Sequence, residues 1–421
     1  VTAAEWAASG CCWASLVTSG LRWLRVSQRE HYLPGAVSTF AIRWWVRARW
    51  NAPLALLALT ALALAWPFPL VAVGTAAVAA AGPIGLSVRG RTSPLAWTRR
   101  LRTLAGLWLL LEAGIIAVGV AVARPPFFAA VAVAVVPPVL DLACLALLPF
   151  ERWVGSRYVD RASARLRSVA PRIVAITGSF GKTSTKNYVT HLLAGHLPLI
   201  ASPASFNNRA GLARAVNEHL VPGTQVFVAE MGTYGKGEIA ELCRWCPPEI
   251  AVVTAIGPVH LERFGSEERI LEAKSEITAG ARAVVLNVDD RRLADLADRL
   301  SQREQAPTVL RCSAVDRSAD ICVAAVDDTF EVVSAGEPVR RGVALAAGIQ
   351  PTNVACALGV CVALGLSVDD VAAQLATLPP VPHRLSLGTA ASGVVVIDDT
   401  FNSNPAGTRA ALGVLAATGH G

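Results

Sequence analysis

Arg172-Ile173-Val174-Ala175-Ile176-Thr177 runs straight into Gly178-Ser179-Phe180-Gly181-Lys182-Thr183-Ser184. The first six residues lack the in-and-out alternation of a half-exposed strand and read as a strand buried on both faces of a parallel sheet. Two glycines then allow a tight turn, and a helix is expected from about Lys182 to Leu193. Strand, glycine loop and helix is the setting that a phosphate loop requires. Backbone N–H groups and the helix N-terminus would face the phosphates. Lys182 would bring a mobile positive charge, and the Thr183 hydroxyl could hold Mg²⁺. Gly178, Ser179, Gly181 and Ser184 complete the candidate nucleotide cradle. The spacing is a shorter variant of Gly-x-x-x-x-Gly-Lys-Ser/Thr, because position 176 is Ile.

Downstream, α/β alternation continues. Gln225 to Met231 reads as a strand ending at Glu230-Met231-Gly232. Glu249 to Thr254 reads as another, leading to Ile256-Gly257-Pro258-Val259-His260. A helix over 267–280 carries Lys274, and Arg282 to Leu286 is a further strand before Asn287-Val288-Asp289-Asp290. Polar groups thus cluster after strand ends, the edge at which open parallel sheets bind ligands. Glu230 and His260 are the candidate metal ligands near the loop.

Upstream, the character changes. The chain has 421 residues, 53% hydrophobic and only 16% charged, against about 25% charged in soluble domains. Apolar runs at 53–85, 104–123 and 127–148, with a weaker one near 6–21, are separated by basic joints. Arg22, Arg25, Arg29, Arg43, Arg47 and Arg49 precede the first long run, and Arg89, Arg91, Arg99, Arg100 and Arg102 follow it. Under the positive-inside rule both joints are cytoplasmic. The 53–85 run then enters and returns near Pro67 and Pro69, the 104–148 pair turns at Arg124-Pro125-Pro126, and residue 151 onward lies inside. The arginine-rich stretch 151–170 reads either as a juxtamembrane helix beside anionic lipid or as a solvated linker helix. The net charge of +7 is thereby assigned to membrane flanks rather than nucleic acid. A cleaved signal peptide is not expected, since one short apolar core would suffice for it.

Nine cysteines are scattered, with one Cys-x-x-Cys at Cys243 and Cys246. A structural zinc site needs four ligands, and Cys312 and Cys322 are too far apart in sequence to form the second pair, so reduced cysteines are expected.

The motifs together resemble the Mur ligase family over about 171 to 421. The loop is similar to that family's Thr-Gly-x-x-Gly-Lys-Thr form, and Ser205-Phe206-Asn207-Asn208-Arg209-Ala210-Gly211 resembles its substrate-facing asparagine motif. Glu230-Met231-Gly232, Gly237-Glu238-Ile239, Ile256 to Glu262 and Lys274-Ser275-Glu276-Ile277 follow in family order. Asn353, His383-Arg384 and Asp398-Asp399-Thr400-Phe401-Asn402-Ser403-Asn404-Pro405 come later. The last stretch is similar to the Asp-x-Tyr-Asn-x-Asn-Pro motif of the member that adds D-alanyl-D-alanine. There are departures: Gln350 stands where the family has His, Phe401 replaces Tyr, and membrane spans take the place of the domain that holds the UDP end of the substrate.

The resemblance implies ATP-dependent phosphorylation of a carboxylate, then attack by an amine to give an amide, ADP and phosphate, with ATP and Mg²⁺ required. It implies catalytic Lys182, His260 and Lys274. Magnesium would be held by Thr183, Glu230, His260 and Lys274, the last as a carbamate. Asn353 would contact adenine, and Arg384 and Asp399 ATP phosphate and ribose. Ser205, Asn207 and Asn208 would face the substrate. The expected architecture is a transmembrane helical region (1–150), a linker helix (151–170), an ATP-binding Mur ligase central domain built on a P-loop-containing, mostly parallel α/β sheet (171–384), and the start of a Rossmann-like C-terminal domain (385–421). That last domain reads as truncated, with 410–417 as its first helix. The expected partners are a cell-wall precursor, a dipeptide amine and membrane lipid. Localisation is expected to be the cell membrane, multi-pass, with a cytoplasmic ligase domain. Alternatives are the same chemistry on a poly-γ-glutamate-type or lipid-linked substrate, a non-catalytic nucleotide-binding scaffold, and, more weakly, a transporter, since Glu112 and Asp141 are rare charges within the spans.

Overall fold

The computed structural model describes all residues except 1, 48–49, 87–94, 204, 260, 347, 380–385, 390–393, 399–407, 409–410, 414 and 417–421. The chain divides into two compact units, Val1–Val154 and Gly155–Gly421.

The first unit is helical: α1 (Ala3–Arg29), α2 (Ala36–Arg47), α3 (Asn51–Ala65), α4 (Pro69–Ala81), α5 (Arg99–Ala121), α6 (Pro125–Ala134) and the beginning of α7 (Val136–Val169). Among the described residues one helix, α5, is long and apolar enough to cross a membrane by itself. The 53–85 run forms two helices of 15 and 13 residues. Each reaches only about 20 Å, short of the ~30 Å hydrocarbon core. The 127–148 run breaks at Val135, where α6 and α7 meet at 71°. Pro137 and Pro138 in the first turn of α7 suit a helix start, where a missing N–H costs nothing. Counting each bent pair as one span gives up to three spans. The two acidic residues in these runs are both buried. Asp141 accepts hydrogen bonds from the N–H groups of Val37 (3.2 Å) and Ser38 (2.8 Å), so it satisfies the N-terminus of α2. Glu112 accepts from the Trp108 indole N–H at 3.0 Å.

The second unit is an α/β fold. After α7 the chain forms β1 (Arg172–Thr177), α8 (Lys182–Leu193), β2 (Leu199–Ala201), α9 (Arg209–His219), β3 (Val226–Glu230), α10 (Glu238–Trp245) and β4 (Ile250–Val253). There follow α11 (Leu261–Phe264), α12 (Glu267–Ser275), β5 (Ala283–Asn287), α13 (Arg291–Ser301), β6 (Thr308–Ser313), β7 (Ile321–Val326), β8 (Thr329–Ser334) and β9 (Glu337–Val343). The last elements are α14 (Pro351–Ala363), α15 (Ala372–Leu375) and a separate antiparallel pair, β10 (Ser386–Thr389) with β11 (Val395–Asp398). Nine strands form one sheet in the order β2-β3-β1-β4-β5-β6-β7-β8-β9. It is parallel through β7 and antiparallel across β7-β8-β9.

Strand β1 is central, and its residues from Ile173 to Thr177 are all buried. Helices cover both faces. Leu293, Leu296, Ala297 and Leu300 of α13 recur at helical spacing and are buried. Tyr188, Val189, Leu192 and Leu193 of α8 pack in the same cluster as α14, which is apolar nearly all round and correspondingly enclosed. The expected 267–280 helix is shorter: α12 ends at Ser275 and a single 3₁₀ turn, Glu276–Thr278, follows. The antiparallel β7–β8–β9 meander at the sheet's edge was not anticipated: β9 is mostly exposed and lacks the apolar run that marks the parallel strands. Of 410–417, residues 411–413, 415 and 416 are helical; the rest lie outside the described residues.

Candidate active site

Because β3 and β4 flank β1 and run parallel to it, the segments after all three emerge at one edge of the sheet. The chain leaves β1 toward one side and returns on the other, so this is the switch point where α/β sheets open a ligand crevice. The glycine loop lies there. Gly181 stands at the N-cap of α8 with φ of +80°, a left-handed conformation that side chains resist. A Cβ on it would also collide with the Asn353 amide. Lys182 folds over the loop, its Nζ donating to the carbonyl of Gly178 at 2.6 Å and that of Ser179 at 3.4 Å.

Glu230, the last residue of β3, is buried and organises the centre. The Thr183 hydroxyl donates to its Oε2 at 3.0 Å, Lys186 pairs with the same oxygen at 3.2 Å, and the Asn207 amide donates to Oε1 at 3.3 Å. The Ser202 hydroxyl accepts from the Glu230 N–H at 3.1 Å. Lys186 was missed from sequence. Its signal was its place one helical turn after Lys182, on the otherwise buried face of α8. Removing one partner of so enclosed a pair costs roughly 3–5 kcal/mol, because the other charge is stranded.

The segment after β4 is tied on both sides. Ser179 exchanges hydrogen bonds with the Gly257 backbone, donating at 3.1 Å and accepting at 3.0 Å. Asp290 accepts from the Ile256 N–H at 3.0 Å, and Arg292 donates to the Ile256 carbonyl at 3.1 Å. Arg292 is itself braced by Asp290 at 3.0 Å and by Glu267. Asn287 donates to the Thr254 carbonyl at 2.9 Å. The run Asn287 to Asp290, noted only as polar residues after a strand, thus holds the neighbouring loop.

Lys274 is buried, at 5% exposure, and makes no ion pair among the described residues. Burial, reinforced by the nearby Lys182 ammonium, pulls its pKa down to about 7. Its helix is anchored by Glu276, which accepts from the N–H groups of Gly237 (2.7 Å) and Ala240 (3.0 Å) at the start of α10. Glu238 in turn accepts from the Tyr234 N–H at 2.7 Å and the Thr233 hydroxyl at 3.1 Å. The Gly237-Glu238-Ile239 and Lys274-to-Ile277 motifs therefore brace each other.

The remaining candidates fall unevenly. Ser184 is buried in the first turn of α8, and Ser205 is exposed with φ of +67°. Asn208 caps α9, accepting from the Gly211 N–H at 2.9 Å, so its side chain already has a structural task. Asn353 is buried in the first turn of α14 against Gly181. His260, Arg384 and Asp399 lie outside the described residues. Cys243 and Cys246 have thiols pushed upward by burial, Cys243 to about 12; they are protonated and poor nucleophiles or ligands.

Magnesium suits the donors present. A carboxylate offers about four acceptor positions, and three at Glu230 are engaged. One position remains, on Oε1, while the Thr183 hydroxyl stands on the other oxygen; both groups are hard oxygen donors. Among the described residues no three His, Cys, Asp or Glu side chains converge. An ion here would draw its other ligands from phosphate, water and a modified Lys274, as magnesium commonly does.

Residues 176–361 match the Mur ligase middle domain. The UDP-N-acetylmuramoyl-tripeptide–D-alanyl-D-alanine ligase of Mycobacterium tuberculosis (strain ATCC 25618 / H37Rv) is 37% identical over 281 residues, 63% of this chain and 52% of that protein. The same-named ligase of Mycobacterium leprae is 35% identical over 336 residues, 72% of this chain and 63% of that protein. The chain thus spans between 52% and 63% of the length of these two relatives. Among solved structures, MurF of Thermotoga maritima in complex with ADP is similar over 62% of this chain and 61% of its own, with TM-score 0.55 and 28% identity. MurF of Acinetobacter baumannii is similar over 62% and 58%, with TM-score 0.56 and 25% identity.

Proposed function

We propose that this chain is an ATP-dependent ligase that joins a carboxylate to an amine through an acyl phosphate. On this reading it adds D-alanyl-D-alanine to a UDP-N-acetylmuramoyl-peptide in peptidoglycan precursor synthesis. The observation that carries the reading is the meeting of Lys182, Thr183, Glu230 and Lys274 at one sheet edge, within a segment that matches the Mur ligase middle domain.

Each residue has work that follows from its surroundings. The loop N–H groups and the N-terminus of α8 bind phosphate. Lys182 exchanges its two carbonyl contacts for phosphate oxygens without leaving the loop. Lys186 and Thr183 fix one oxygen of Glu230, so the carboxylate presents its remaining acceptor position on Oε1, the oxygen that Asn207 contacts. Lys274, neutral in a large fraction of molecules near pH 7, can add to CO₂: its nitrogen lone pair bonds to carbon, one proton leaves, and a carbamate anion results. That converts a buried group repelled by Lys182 into one attracted to it. Thr183, Glu230 and the Lys274 carbamate, with His260, would hold magnesium, which neutralises charge on a transferring phosphoryl group. Asn353, Arg384 and Asp399 are assigned to the nucleotide, and Ser205, Asn207 and Asn208 to the acceptor.

We further place the chain in the cell membrane as a multi-pass protein with its ligase unit cytoplasmic. Helix α5 and the arginine-rich joints support this. The first test is Lys182→Ala in the whole membrane-inserted protein. ATP turnover should fall by at least about 10³-fold, the scale of losing a preorganised charge contact, with insertion unchanged. Undiminished turnover would remove the phosphate-loop assignment.

A further inference from the structure

A second charged site lies beyond the loop, on the same unit. A pocket of about 470 Å³ is lined by Gly235, Lys236, Arg263, Phe264, Arg269 and Glu272. It draws on the segment after β3 and on α11 and α12, hence on the ligand edge of the sheet. Its acids are largely spoken for. Glu272 pairs with Lys236 at 3.0 Å. The neighbouring Glu267 pairs with Arg292, and Glu276 caps α10. Arg263 and Arg269, by contrast, make no ion pair among the described residues. Arg263 is nonetheless held in place, stacked over the Tyr234 ring at 5.1 Å, a cation–π contact that limits its freedom. One guanidinium held against a ring and a second lining the same pocket, beside an already neutralised Lys–Glu pair, form an anion receptor, since each fork matches two oxygens of a carboxylate or phosphate.

Chain geometry sets its distance from the reaction centre. Gly235 is five positions after Glu230, a reach of at most about 18 Å. Arg269 is five residues before Lys274 on α12, an axial rise of roughly 7.5 Å. The pocket is too exposed, and on the wrong segments, to be part of the nucleotide cradle, yet it is within the length of an extended peptide from it.

We propose that Arg263 and Arg269 bind an anionic group of the acceptor substrate, remote from the carboxylate that is activated. This rests on the ligase reading and adds to it a second point of attachment. The anion is either a side carboxylate of a peptide or a phosphate of a carrier, and both offer the same planar or tetrahedral oxygens to the forks.

The test uses the whole protein in lipid nanodiscs with the phosphate loop filled by Mg-ADP, titrated with glutarate and with inorganic phosphate. The double variant Arg263→Gln/Arg269→Gln should bind the better probe at least 10-fold more weakly, with Mg-ADP affinity within twofold of wild type. Arg263→Lys/Arg269→Lys should recover part of the loss, because charge returns without the fork. Preference for glutarate identifies a peptide carboxylate as the source, and preference for phosphate a phosphorylated carrier. With UDP-N-acetylmuramoyl-tripeptide as acceptor, the Gln variant should raise the acceptor KM at least 10-fold and leave the ATP KM unchanged. No binding of either probe to wild type, or equal binding by the Gln variant, overturns the pocket. If wild type fails to bind Mg-ADP, it is the ligase reading that falls, and the pocket is then judged on glutarate alone.

Discussion

Lys274 shows how one side chain can be read twice. On sequence periodicity it is a lysine on a polar helix; in the fold it is 5% exposed beside Lys182. Its pKa is about 7 when folded, against an ordinary value of 10.5. Between these values the unfolded chain binds more protons than the folded one, so stability rises with pH across pH 7 to 10.5. Below pH 7 the whole penalty of a buried ammonium is present. Lys274→Met keeps the bulk and removes the titration. Measured in CO₂-free buffer, the wild-type unfolding temperature should climb more steeply from pH 7 to pH 10 than that of Lys274→Met. Parallel curves would show that the amine is not enclosed. With CO₂ present, Lys274→Ala should lower acyl-phosphate formation by at least about 10²-fold, in line with loss of a metal-orienting group. Short-chain carboxylates should restore part of it; unimpaired activity in Lys274→Ala would reduce this lysine to a structural role.

At the scale of elements, the glycine loop, α8 and the strand ends are positioned by side chains remote in sequence. Asp290 is the clearest case. It caps α13 through the Arg292 N–H at 3.1 Å and also holds the Ile256 N–H at 3.0 Å. Burial raises its pKa from the ordinary aspartate value, against the lowering effect of the two N–H groups it accepts from. Asp290→Ala should lose the cap, about 1 kcal/mol, and a charge-assisted hydrogen bond of roughly 1.5–3 kcal/mol. Thermal unfolding should report a combined loss of about 2.5–4 kcal/mol, and hydrogen exchange should quicken at Ile256 and Gly257. Unchanged exchange there would mean that Ser179 and Arg292 fix the segment without Asp290. The glycine loop and its helix were legible because strand, turn and helix signals are local. The two-sided clamp was not, because Asp290 and Arg292 meet Ile256 across 34 and 36 positions of chain.

For the molecule as a whole, the question is which side of a membrane each part faces. Among the described residues one helix is long and apolar enough to span alone, and two bent pairs pass the same test together, whereas the arginine pattern calls for an even number of crossings before residue 151. All three would make an odd number, so the two counts agree only if α5 crosses outward, the α6–α7 pair returns and the α2–α3 pair does not cross. Single cysteines at Ala96, before α5, and at Ser163, in α7, should then resist an impermeant maleimide in intact cells and react after permeabilisation. Labelling of either from outside would rule out this topology.

Composition and local pattern alone were enough to separate an apolar, arginine-jointed part from an α/β part and to find the glycine loop between β1 and α8. Both signals are written in contiguous residues: apolar length decides membrane partition, and a glycine turn between strand and helix exposes backbone N–H groups wherever it occurs. Which groups meet around that loop was decided by tertiary structure. The pairing of Glu230 with Lys186, the enclosure of Lys274 and the clamp on Ile256 exist because β3, β1, β4 and β5 are hydrogen-bonded side by side. Strand order is set by burial of both sheet faces, a sum over many residues that no single motif contains.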